Sequence, residues 1–275
     1  MSAPESTTVT PNAAPQPWKH PSSVYGPVKS WRVGASLGID LLLQTSTCSF
    51  NCIYCQLGDI QLKTIERKVY VPTEQVEHDF KESRWPEADI VTFSGSGEPT
   101  LALNIAEVIH FIHEYAQKPV MVLTNGTTLH DPAVRADLLQ ADKVAIKLDA
   151  GTEAVFQRMN RPVPGVTLAS VIAGAKAFRA EYKGHLSLQC MLMPGNLDEA
   201  PAMAALAREI APDEIQLNTP KRPYPLLWVL DSRGNHDAVD YPARTLRVVT
   251  EAEAADLKAL FQQETAASII SVYRE

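Results

Sequence analysis

Six short apolar runs, each separated from the next by a longer stretch of helical character, constrain this chain more than any other feature. The runs fall at residues 37–43, 89–94, 120–124, 143–149, 186–193 and 214–218. Residues 104–117 place Ile105, Val108, Ile109, Ile112 and Ala116 on one helical face. Asp131 followed by Pro132 marks a helix start, a side-chain acceptor and then a residue with no N–H to satisfy. Segments 166–182 and 200–210 carry apolar stripes, and Thr250 with Glu253 forms a capping box for a last helix. Strand and helix alternating in this way predict a parallel sheet wrapped by helices.

An open doubly wound sheet and a (β/α) barrel both satisfy that alternation. The faces of the later strands separate them. Ala145, Lys147 and Asp149 share one face. Ser187 and Gln189 oppose Leu186, Leu188, Cys190 and Leu192, while Gln216 and Asn218 oppose Ile215 and Leu217. Helices cover the apolar faces, so the polar faces line a cavity. A closed eight-stranded barrel fills its centre with branched apolar side chains instead. The expectation is an α/β fold built as a partial (β/α)6 TIM-type barrel with a polar lumen. Residues 21–220 form its core and 221–275 a short C-terminal extension of the same domain, Pro-rich and irregular at 220–248. Residues 1–20, rich in Ser, Thr, Pro and Ala, are expected to be a disordered tail.

Composition excludes several roles. The net charge is −7, so no global basic field attracts nucleic acid or an anionic membrane. No apolar run approaches the roughly 18 residues that a membrane span needs. The N-terminus lacks the basic start and apolar core of a secretory signal. A cytoplasmic location follows as the expectation, and four cysteines in a reducing compartment point to metal or redox chemistry before disulfides.

Three of the four cysteines are clustered in CSFNCIYCQLGD, residues 48–59: Cys48, Cys52 and Cys55, directly after the first run. Zinc would need a fourth ligand, and Cys190, the remaining cysteine, falls on the apolar face of its strand. An iron–sulfur cubane held by three thiolates leaves one iron open to another ligand. The spacing alone leaves both readings open. The next loop adds to it. SGSGEPT, residues 94–100, follows the second run at the same end of the sheet. Its glycines let main-chain carbonyls approach a ligand, and Glu98 adds a carboxylate, a combination suited to an ammonium group. S-adenosylmethionine (SAM) carries an ammonium and has groups that bind an open iron.

C-x3-C-x2-C with Tyr54 before the last cysteine, followed by a G-E-P loop after the second strand, resembles the radical SAM superfamily. The flanking motifs YGPVKSWRVGASLGIDLL, VLTNGTTL, IKLDAGTEAVFQRMNRP and IQLNTPKRP are similar to one branch of it, the wybutosine-synthesis-like iron–sulfur oxidoreductases. The resemblance spans about residues 25–225. It implies a [4Fe-4S] cluster on Cys48, Cys52 and Cys55, with the SAM amino and carboxylate groups on the fourth iron. It places Tyr54 near the adenine. Gly95, Ser96, Gly97 and Glu98 would receive the ammonium, Asn125 would cap a turn or face the ribose or substrate, and Lys147 and Asp149 would contact the SAM ribose and carboxylate or form a mutual salt bridge lining the lumen. Gln189, Asn218 and Arg222 are the candidates for holding substrate.

The implied chemistry is reductive cleavage of SAM, fed by a one-electron donor such as flavodoxin or ferredoxin. The resulting 5′-deoxyadenosyl radical abstracts hydrogen from a small molecule, a peptide or RNA. Modification of a tRNA base is one alternative. The acidic balance weighs against it, with Lys63, Arg67 and Lys68 a modest local exception. A zinc or iron–sulfur binding protein without SAM chemistry is the other.

Overall fold

The computed structural model describes residues 21–230, 233 and 241–273; the tail expected at 1–20 lies outside them. An antiparallel pair, β1 (Val24–Ser30) and β2 (Gly34–Ile39), opens the fold. The short strands β3 (Thr47–Cys48) and β4 (Leu62–Lys63) follow, then α1 (Thr73–Lys81). The alternating part runs β5 (Ile90–Phe93), α2 (Ile105–Ala116), β6 (Val120–Thr124), α3 (Pro132–Leu138) and β7 (Lys143–Lys147). It continues through α4 (Glu153–Met159), α5 (Leu168–Glu181), β8 (His185–Met191), α6 (Ala200–Ile210) and β9 (Glu214–Asn218). A two-stranded ladder, β10 (Tyr224–Pro225) with β11 (Ala243–Arg244), precedes α7 (Glu251–Glu264) and β12 (Ser268–Ser271).

Eight of these strands form one sheet in the order β1-β2-β5-β6-β7-β8-β9-β12, parallel from β2 onwards, and the sheet curls into a half-barrel. The helices bury their stripes on its outer face: Ile105, Val108, Ile109 and Ile112 of α2 are fully buried. The helix starts behave as their residues require. Asp131 accepts from the Ala133 N–H, Thr167 with Ser170 forms a capping box at α5, and Thr250 with Glu253 forms one at α7.

The structure differs from the sequence expectation in several places. The run at 37–43 is a strand only to Ile39. The Asp40 carboxylate takes the N–H groups of Leu42 (3.0 Å) and Leu43 (3.2 Å) and turns the chain. The run at 143–149 likewise ends at Lys147. Two helices, α1 and α4, are additional to those expected. So are two strands at opposite edges of the sheet, β1 and β12: Gly26-Pro27 breaks the alternation of the first, and the second is only four residues long.

Candidate active site

The cysteine loop leaves the C-terminal end of β2 and is held by its own short-range bonds. Asn51 is the staple: its Oδ1 accepts from Ile60 N–H at 3.1 Å and its Nδ2 donates to Asp59 at 2.7 Å. Cys55 N–H donates to the Cys52 carbonyl and Gly58 N–H to the Cys55 carbonyl, both at 3.0 Å. All three cysteines are free thiols and all three line one cavity.

The glycine-rich loop is zipped onto this segment. Thr47 N–H donates to Ser96 O at 2.8 Å, and Glu98 N–H donates to Thr47 O at 3.0 Å. Gly97, at φ +151°, lies so close that a β-carbon there would overlap the Thr47 carbonyl oxygen. At Gly95 (φ +117°) a β-carbon would stand 2.6 Å from Asp40 Cγ. Both glycines are therefore required by close approach. Gly95, Gly97 and Glu98 face the cavity. Ser96 does not: it is fully buried, and its hydroxyl donates to Asp40 at 2.5 Å, bracing the loop from behind.

Glu98 is buried, which pushes its carboxyl pKa up, while four hydrogen bonds act against that push. Thr100 donates through its N–H (3.2 Å) and hydroxyl (2.6 Å), Thr124 through its hydroxyl (2.7 Å) and Asn125 through its N–H (2.6 Å). Asn125 also accepts from Thr127 N–H at 3.0 Å, which is the turn-capping role. Its side-chain amide donates to Ser49 Oγ at 2.8 Å and reaches Cys48 Sγ at 3.5 Å.

Further donors address the thiols. Phe50 N–H stands 3.4 Å from Cys48 Sγ, and Asn160 Nδ2 stands 3.5 Å from Cys52 Sγ. Burial, with repulsion from neighbouring acidic groups, pushes the Cys48 and Cys52 thiols up and Cys55 up to about 12. Unligated, these groups are neutral thiols, and ligation would draw off their protons. Among the described residues, no set of three or more His, Cys, Asp or Glu side chains converges as a single metal ion requires. A zinc ion draws its sulfurs onto one point at about 2.3 Å each. A cubane binds each thiolate through a separate iron, and three free thiols lining one cavity suit that donor set. Cys190 is buried on the opposite face of β8, where burial raises its thiol pKa.

Lys147 and Asp149 do meet, at 3.8 Å, and Tyr54 sits between them. The Tyr54 hydroxyl donates to Asp149 Oδ2, Lys147 Nζ reaches that hydroxyl at 3.2 Å, and the ammonium lies 5.2 Å from the Tyr54 ring centre. Asp149 also accepts from Asn160 Nδ2 and from Met191 N–H, both at 2.8 Å. Lys147 and Tyr54 line the cavity, whereas the Asp149 side chain is fully buried behind them. Burial pulls the Lys147 pKa down, but Asp149 and the thiols outweigh it and the net shift is upward.

The cavity measures about 590 Å³, a small-ligand size. Gln189, Asn218 and Arg222 also line it, with Gln189 beside Lys147 in the β7–β8 register. Sequence reasoning did not single out Asp40, Asn160, Arg233 or Arg32. Arg233 donates to Asp40 at 3.1 Å across 193 residues of chain, a pairing that no local pattern carries.

A family model, the radical SAM superfamily, matches residues 42–207. A UPF0026 protein of Synechocystis is 43% identical over 235 residues, covering 85% of this chain and 88% of that one. The chain belongs to the radical SAM superfamily and to the UPF0026 family. A UPF0026 protein of Helicobacter pylori is 32% identical over 214 residues, covering 74% of this chain and 68% of that one. Among solved structures, TYW1 with a lysine-pyruvate adduct bound is similar in fold, with a TM-score of 0.61 at 15% identity, covering 87% of this chain and 78% of that one. SuiB of Streptococcus suis bound to S-adenosylmethionine gives 0.59 at 13% identity, covering 83% of this chain and 49% of that one. Radical SAM proteins work with a [4Fe-4S] cluster and SAM. Among the described residues no helix is long and apolar enough to cross a membrane.

Proposed function

We propose that this chain is a radical SAM enzyme in which Cys48, Cys52 and Cys55 hold the cluster and SAM completes it. One observation carries the reading: three unpaired thiols open into the same cavity as Gly95, Gly97 and Glu98. When bound, cluster and SAM supply a one-electron reductive cleavage whose 5′-deoxyadenosyl radical takes a hydrogen atom from substrate, with flavodoxin or ferredoxin as the class of donor.

The chain's own residues bind, orient and shield. Gly95, Gly97 and Glu98 receive the SAM ammonium, with Ser96 holding their loop to Asp40. Tyr54 offers its ring to the adenine while its hydroxyl is fixed by Asp149. Lys147, the charged group of that triad that faces the cavity, is assigned to the SAM carboxylate or ribose. Asp149 and Asn125 act as positioning residues. Gln189, Asn218 and Arg222 are assigned to substrate.

Modification of a tRNA base is the second reading, carried by the resemblance of the flanking motifs to the wybutosine-synthesis-like branch. The local basic residues weigh against it. Arg67 is paired with Asp137 at 2.6 Å and Lys63 with Asp59 at 3.4 Å, so little of that charge is free for phosphates.

Electron paramagnetic resonance of the anaerobically reconstituted, dithionite-reduced protein tests the cluster–SAM assignment. A [4Fe-4S] signal whose g values move on adding SAM is expected. A signal indifferent to SAM, or a protein that takes up zinc and no iron, contradicts it.

A further inference from the structure

The glycine-rich loop is gripped from behind at two of its residues. Ser96 donates its hydroxyl to Asp40 at 2.5 Å, and Ser94 shares a hydrogen bond of 2.7 Å with the Tyr25 hydroxyl. Gly95 lies between the two grips. The Asp40 side chain is fully buried, and its other oxygen takes the N–H groups of Leu42 and Leu43. Tyr25 reaches in from β1 and packs on Gly38, where a β-carbon would overlap its ring. Burial, above all, raises its pKa to about 12, so it stays a neutral hydroxyl.

Arg233 meets both grips. Its Nη1 donates at 3.1 Å to Asp40 Oδ2, the same oxygen that Ser96 uses. Its guanidinium carbon stands 5.2 Å from the centre of the Tyr25 ring. The side chain is only 10% exposed, and it is anchored further: Nε donates to Leu230 O and Nη1 to Ser22 O, each at 3.3 Å. One cation from the C-terminal extension thus touches the two groups that hold Ser94 and Ser96.

A buried carboxylate is costly without a counter-charge, and removing one partner of such a pair leaves the other uncompensated. Without Arg233, Asp40 would take up a proton or draw in water, and either change alters the acceptor that fixes Ser96. A loop preset for its ligand binds more tightly than one that must be ordered on binding.

We propose that Arg233 is a positioning residue for SAM: held on Asp40 and on the Tyr25 ring, it fixes Ser94 and Ser96 and so aims Gly95, Gly97 and Glu98 at the ammonium. The SAM site of the core is then incomplete without the C-terminal extension. The inference rests on the reading that this loop receives the SAM ammonium, and it deepens that reading by naming what sets the loop.

The test is anaerobic equilibrium dialysis of the full-length reconstituted protein against SAM and, separately, against 5′-methylthioadenosine, which keeps the adenosine and lacks the ammonium. Arg233→Gln is expected to raise the SAM dissociation constant about tenfold and to leave that of methylthioadenosine unchanged. Arg233→Lys, which keeps the charge without the planar fork, is expected to recover part of the loss. The control Arg208→Gln, from an exposed pair with Glu264 on the outer helices, is expected to change neither constant. Asp40→Asn removes the buried charge, so adding Arg233→Gln to it is expected to cost little further SAM affinity. Circular dichroism checks the fold of each variant, and should Arg233→Gln not fold, Arg233→Lys takes its place in both comparisons. Three results overturn the proposal. One is an unchanged SAM constant in Arg233→Gln. Another is an equal loss for SAM and methylthioadenosine, which would make the arginine a general support of the cavity. The third is a full loss for Arg233→Gln on the Asp40→Asn background, which would put the guanidinium on SAM itself. Wild type that binds no SAM overturns the reading beneath the proposal as well, so the two failures are told apart.

Discussion

Gly97 and Thr47 are joined main chain to main chain, with Gly97 in the place of a strand partner and no space between them for a β-carbon. This contact fixes the glycine-rich loop against the segment that presents Cys48. Gly97→Ala is therefore expected to destabilise the protein by on the order of 3 kcal/mol. It should also lower iron and sulfide uptake on reconstitution. Urea unfolding of the apo chain and iron analysis of the loaded one measure the two effects independently.

Asn160→Ala addresses a donor to sulfur. A hydrogen bond to a ligating sulfur favours the more negative, reduced cluster. Losing one worth about 1 kcal/mol lowers a one-electron potential by about 40 mV. A redox titration followed by paramagnetic resonance reads the shift. Asn125→Ala, beside Cys48, is expected to act in the same direction.

Asp149→Ala removes a buried carboxylate that holds Tyr54, Asn160, Met191 N–H and Lys147. A loss of about 3–5 kcal/mol is expected, the cost of breaking a buried pair at one end. Lys147→Met, which removes the partner nearer the cavity, is expected to cost less stability and more SAM affinity. Denaturation and equilibrium binding of SAM separate the two.

How much of this was legible in the sequence depends on range. The Cys48, Cys52 and Cys55 loop, the Gly95–Glu98 loop and the inward positions Lys147, Gln189 and Asn218 are local patterns: a spacing, a turn or a period of two. They are read without knowing the fold, and the structure brings nearly all of them to one cavity. Asp149 and Ser96 share those motifs but lie behind the wall, because facing is set by where a strand stops and which buried group it meets. Asp40 and Asn160 owe their places to distant partners. Sequence periodicity carries no such information, and the four-residue β12 is too short to have a period.

Acid stability supplies a prediction outside the cavity. Asp213 accepts from Leu186 N–H at 2.8 Å and from both terminal nitrogens of Arg179 at 2.9 and 3.0 Å. Burial pushes its pKa up, but these bonds outweigh it and the net shift is downward from 3.8. A carboxylate with a depressed folded-state pKa stabilises above its unfolded value and loses that stabilisation as pH falls through the folded one. The pair is partly exposed, so after screening about 0.5–1 kcal/mol is at stake. Asp213→Asn is expected to lower Tm by about 2 °C at pH 7. The difference from wild type should vanish below pH 3.8, as the wild-type carboxyl takes up its proton.

The central claim is that this chain cleaves SAM at a cluster held by its three clustered cysteines. The most direct measurement is anaerobic: incubate the reconstituted protein with SAM and dithionite and quantify 5′-deoxyadenosine by chromatography, beside Cys52→Ala. The account predicts 5′-deoxyadenosine from the wild type and none above background from the variant. Iron-loaded wild type that yields none with any of several reductants, or a Cys52→Ala variant that matches it, would contradict the account.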